Sequence, residues 1–72
     1  IMKLRFSKHA LDRLKFRGIT REEVSGAILN GQQRNLQDQG TIKCIYVRKD
    51  LKLVVVYRQF KDEFIVVTAY HL

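Results

Sequence analysis

The chain has 72 residues, 46% of them apolar, and its fourteen Lys and Arg against seven Asp and Glu give +7 at pH 7 and an isoelectric point near 10.0. That length fits one domain, 1–72, and that apolar share excludes a disordered chain. The longest apolar run, Leu53-Val54-Val55-Val56-Tyr57, is far too short to cross a bilayer. No signal-peptide pattern opens the chain, and the lone Cys44 cannot form an internal disulfide, so a soluble protein of the reducing cytoplasm, with no membrane contact, is expected. Ile1 ahead of Met2 reads as a cloning remnant or an unusual start. Cations at this density release counterions from nucleic acid and also attract acidic proteins, so a polyanion is the expected partner.

In chain order, Ser7 is the first helix signal. It is a good N-cap, with Phe6 before it and Leu11 at the staple position, and it predicts a helix from Lys8 to Phe16 that stops at Gly18. Thr20 and Glu23 form a capping box for a second helix, with Ile19 able to staple onto Val24. Val24, Ala27 and Ile28 make its buried stripe and Gly31 closes it. The polar stretch from Gln32 to Gly40 reads as a connection holding a short strand around Arg34 to Gln37. Three strands then follow, Thr41 to Arg48, Leu51 to Arg58 and Glu63 to Tyr70, separated by short turns at Lys49-Asp50 and around Lys61-Asp62. Such short connections predict antiparallel neighbours. The expected fold is therefore α+β: two N-terminal helices packed on one face of a three- to four-stranded antiparallel sheet. Tyr46, Arg48, Tyr57, Arg58, Thr68 and Tyr70 are expected on the other face, although alternation alone leaves the facing of each position open.

Two groups of residues have the chemistry to act on a phosphodiester. Ala10, Leu11 and Leu14 define the core stripe of the first helix, which puts His9 and Arg13 together on a face pointing away from it, with Arg17 near them. Imidazole exchanges protons near neutrality, and a guanidinium supplies fixed charge and a forked donor for phosphate. Plain solvation of an exposed His and Arg fits the same spacing. Thr68, Tyr70 and His71 on the last strand form the second group, with His71 expected to fray with the terminus. Arg48, Arg58 and the lysines suit phosphate positioning, and the tyrosines can stack a base. No ligand spacing for a metal is present, no Gly-rich phosphate loop implies a nucleotide cofactor, and Cys44 reads as a small buried apolar residue rather than a nucleophile.

The stretch Ser7-Lys8-His9-Ala10-Leu11-Asp12-Arg13, continuing through Arg17-Gly18-Ile19-Thr20 and Val24 to Asn30-Gly31, fits the pattern S-x-H-A-x-x-R-x-x-x-R-G-I. Together with the closing Val66-Val67-Thr68-Ala69-Tyr70, it resembles a bacterial family catalogued as domain of unknown function 4258, over nearly the whole chain. That family is placed with the compact nuclease superfamily that includes barnase, RelE and the colicin-type tRNases. The resemblance implies a RelE/barnase-like fold, RNA cleavage without a metal or other cofactor, and a toxin context with an acidic antitoxin or immunity protein as partner. It points to His9, Arg13 and Arg17 on the first helix and to Thr68 and Tyr70 on the last strand.

The expected activity is thus a metal-independent endoribonuclease. His9 would act as base or acid, Arg13 as charge stabiliser, Tyr70 as second proton donor or orienter, and Arg17, Arg58, Arg48 and Thr68 as RNA-binding groups. Two other readings stay open: a non-catalytic basic RNA-binding module, and a protein-interaction domain that docks an acidic partner.

Overall fold

The computed structural model describes residues 3–72, so Ile1 and Met2 lie outside the described residues. The elements run β1 (Lys3–Phe6), α1 (Lys8–Arg17), α2 (Arg21–Asn30), β2 (Gln33–Leu36), β3 (Ile42–Arg48), β4 (Leu51–Phe60) and β5 (Glu63–His71). Both helices start as their caps dictate. Ser7 Oγ accepts from the Ala10 N–H at 3.0 Å. Thr20 and Glu23 exchange side-chain-to-backbone bonds of 3.1 and 3.0 Å. α1 ends at Gly18, whose φ of 69° is the left-handed conformation that a residue lacking Cβ adopts freely. α2 ends for a different reason: Gly31 has an ordinary φ of −61°, but a Cβ there would collide with Cys44 Sγ and lie 2.7 Å from the Ala27 carbonyl. Close approach of helix and sheet, rather than a left-handed turn, requires that glycine.

The sheet differs from the expectation in one respect. Among the described residues it has five strands in the order β1-β5-β4-β3-β2, and β1 pairs parallel to β5, so it is mixed rather than antiparallel. β1 is the added element. Its Lys-Leu-Arg-Phe alternation sends Leu4 and Phe6 against the core and leaves Lys3 and Arg5 exposed. Its partner lies some sixty positions away, and four residues offer little local signal for so distant a pairing.

Cys44 fixes which sheet face the helices cover, because its Sγ lies 3.2 Å from the Ala27 carbonyl of α2. Register then assigns the rest, since paired residues share a face. Ile42, Cys44, Tyr46, Leu53, Val55, Tyr57, Phe64, Val66 and Ala69 face the helices and, with Ala10, Leu14, Ile19, Val24, Ala27 and Ile28, form the core. A register shift at Val56/Tyr57 keeps this pattern while inserting one extra residue in β5. Three residues expected on the other face are therefore reassigned. Tyr46, Tyr57 and Arg48 lie on the helix side, and Tyr57 is almost wholly buried, its ring 5.5 Å from that of Phe64. Arg58, Thr68 and Tyr70 are on the open face as expected. The C-terminus is tied rather than frayed: β5 pairs through His71, and the Leu72 N–H donates to the Lys52 carbonyl at 3.0 Å. Among the described residues, no helix is long and apolar enough to cross a membrane.

Candidate nucleic-acid interface

α1 follows β1 directly and runs alongside β5 in the same direction. The Ser7 N–H meets the Val66 carbonyl at one end, and Arg17 meets Ala69 at the other. β1 covers only Glu63 to Val66 of β5, which leaves the edge of the strand beyond Val66 without a neighbour in the sheet. Arg17 closes that edge. One guanidinium nitrogen donates to the Ala69 carbonyl at 2.8 Å and to Thr68 Oγ1 at 3.3 Å, and the guanidinium carbon lies 6.0 Å from the centre of the Tyr70 ring. Those bonds use Nη1 alone. Among the described residues Nη2 and Nε make no hydrogen bond, so two N–H-bearing nitrogens stay available beside the phenol.

Three of the candidate residues, Arg17, Thr68 and Tyr70, are thus brought together at one end of α1. Arg13 stands one turn back on the same helix face and His9 two turns back, about 12 Å along the axis from Arg17. Both are exposed and, among the described residues, make no hydrogen bond or ion pair. Phe16, 85% exposed, completes the outward surface of the helix beside them.

The sheet face away from the helices carries the remaining charge. Register places Lys3 and Arg5 of β1, Lys43 of β3, and Lys52 and Arg58 of β4 on it, around a centre of Ile45, Val54, Val56, Thr68 and Tyr70. Glu63 is the one carboxylate of the strands on that face, and it is paired with Arg5 at 3.3 Å. Arg58 is partly committed, because its guanidinium donates to the Gln39 carbonyl at 2.6 Å and so ties the 37–41 turn to β4. Arg48 is set apart from this surface. It lines a small pocket of about 180 Å³ on the helix side together with Glu22 and Glu23.

Arg5 was not among the sequence candidates, and Lys3, Lys43 and Lys52 were covered there only as lysines in general. Placing Lys3 and Arg5 needs the pairing of β1 on β5, and placing Lys43 and Lys52 needs the register of β3 on β4. Cys44 is fully buried, and burial raises its thiol pKa against the opposing pull of the Arg34 charge, which leaves it protonated and inert. Among the described residues, no three His, Cys, Asp or Glu side chains gather in one place.

The sequence profile of the family described as Domain of unknown function (DUF4258) matches residues 6–71. The chain belongs to this family. No curated protein and no solved structure matches it. The DUF4258 match contains every candidate residue from His9 to Tyr70, while Lys3 and Arg5 stand just outside it.

Proposed function

We propose that this DUF4258 protein is a metal-independent endoribonuclease of the RelE- and barnase-like toxin type, working in a reducing cytoplasm. The observation that carries the reading is the Arg17–Thr68–Tyr70 cluster at the edge of an open, cationic sheet face, continuous with Arg13 and His9 along α1. A strand of RNA crossing that face would meet cations for its phosphates and Tyr70 for stacking.

The chemistry follows from the order of groups along the helix. Cleavage requires a base on the 2′-hydroxyl and an acid on the leaving 5′-oxygen, on opposite sides of phosphorus. These two groups must be separated by two hydrogen-bond reaches of about 3 Å each plus the width of the phosphoryl group. His9 lies two turns of α1 from Arg17, and Tyr70 of β5 lies beside Arg17, so the two groups stand on either side of Arg13. In this hypothesis His9 removes the 2′ proton and the oxygen bonds to phosphorus. The 5′-oxygen leaves with a proton from the Tyr70 phenol, and a 2′,3′-cyclic phosphate remains. Arg13 and the free nitrogens of Arg17 balance the charge on the non-bridging oxygens.

The test is digestion of a mixed-sequence RNA in EDTA by the wild type, His9→Ala and Arg13→Ala, read on a gel. Discrete products from the wild type that vanish in both variants are expected, and comparable cleavage of a 2′-deoxy substrate would end the mechanism. A non-catalytic RNA-binding face is the second reading. It is favoured by the lack, among the described residues, of any hydrogen bond that would orient the His9 ring. It predicts steeply salt-dependent binding and intact RNA.

A further inference from the structure

The opposite edge of the sheet carries a second site. β2 is the outermost strand on that side and all four of its residues are exposed. The Gln37 N–H donates to the Thr41 carbonyl, so by alternation Gln33 and Asn35 also turn their backbone groups to β3 while Arg34 and Leu36 turn theirs to the free edge. Next to this edge, on the helix side, lies a groove of about 460 Å³. Leu29, Leu36, Ile42, Tyr57 and Phe64 line it, with Arg34 on its rim. Leu29 and Leu36 are 62% and 77% exposed. Neighbouring parts of the sheet edge are closed off by side chains. Gln32 holds both the N–H and the carbonyl of Val47 at 2.9 Å, as a further strand residue would. Arg34, the one cation of β2, is turned back onto the Ile28 and Gly31 carbonyls. Among the described residues, no side chain bonds the outward backbone groups of Arg34 and Leu36 where the groove opens.

We propose that the β2 edge takes an extended segment of a partner protein as a sixth strand, one in which acidic residues alternate with apolar ones. The alternation is set by the sheet. Side chains of the added strand on the helix side fall into the groove beside Leu36 and Leu29, and apolar groups fit there. Side chains on the other side lie next to Asn35, one strand from Lys43, and carboxylates fit there. Charge complementarity selects the acidic segment over a second copy of this chain, since two chains of +7 repel. Between Glu23 and Asp50 the sequence holds four cations and a single carboxylate. Apart from Lys43, which also lies on the proposed RNA surface, this site is separate from that surface, and its test does not depend on RNA binding.

The test uses a fluorescein-labelled synthetic heptapeptide that alternates Glu or Asp with Leu, Ile or Val, titrated with the full chain. Saturable binding is expected, at least about tenfold weaker for Leu36→Asp and Leu29→Asp, and absent for the same peptide with Lys in place of its acids. Both substitutions fall on exposed positions, so folding is preserved and circular dichroism verifies it. In the wild type, with no substitution needed, the Arg34 and Leu36 backbone amides should move most in an NMR titration and become protected from exchange. Absence of binding, equal affinity for the variants, or shifts confined to Lys52, Arg58 and Tyr70 would each overturn the proposal; the last would mean plain charge attraction to the open face.

Discussion

The two ends of the sheet face the same physical problem and resolve it differently. At the β5 end, a short parallel strand covers half the edge and a helix covers the rest, with the Arg17 guanidinium supplying the hydrogen bond that Ala69 would otherwise lack. At the β2 end, the helix layer stops short. α2 finishes at Asn30, its last carbonyls are capped by Arg34, and the strand beyond it stands exposed beside an apolar groove. One end is closed and charged, the other open and partly apolar. A basic protein can therefore offer two surfaces of different chemistry, one suited to phosphates and one to a peptide backbone.

The sharpest way to break this contrast is to remove packing on the closed side. Leu14 is buried between α1 and the sheet, and Leu14→Ala should cost about 3 kcal/mol in chemical denaturation. A loss below about 1 kcal/mol would mean that α1 is only loosely attached. Arg17→Ala should cost about 1–2 kcal/mol, because the Ala69 carbonyl and Thr68 hydroxyl lose their donor. Its unfolding curve should also show earlier loss of the α1–β5 unit by hydrogen exchange than of β3 and β4.

Cys44 tests the closeness of helix and sheet on the other side. Its folded pKa is raised, so the unfolded thiol, with an ordinary value of 9.0, loses its proton first as pH rises. Stability is therefore full below about pH 9 and should fall above it by up to about 1.4 kcal/mol per pH unit, until the folded thiol also ionises. Replacing the thiol, as in Cys44→Ala, should remove that slope, and an unchanged slope would assign it elsewhere. The smallest effect belongs to the open edge, where Leu36→Ala should shift stability by less than about 0.5 kcal/mol. A larger loss would show that Leu36 is part of the core and not a free surface.

Much of this was legible along the chain because the signals are local. Ser7, Gly18 and the Thr20–Glu23 box are written within one helical turn of the ends they define, and all three operate as the pattern predicts. The three long strands carry enough β-branched residues to be read directly. The facing of Tyr46, Arg48 and Tyr57 was not legible, since the runs on β3 and β4 are apolar on both faces and one contact, Cys44 on Ala27, is what orients them. β1 was not legible as a strand because its partner is at the far end of the sequence. For the candidate site, the Arg13–His9 spacing was plain, but the meeting of Arg17 with Thr68 and Tyr70 depends on α1 lying along β5, a tertiary fact that spacing does not contain.

In the function we propose, RNA rests on the open face around Arg17 and Tyr70. This placement is tested most directly by titrating the protein with a short single-stranded RNA and following every backbone amide by NMR. The largest changes are expected at Arg13, Arg17, Thr68 and Tyr70, with smaller ones at Arg5, Lys43 and Lys52, all weakening as salt rises. Changes confined to Leu29, Arg34 and Leu36, or none at all, would contradict it.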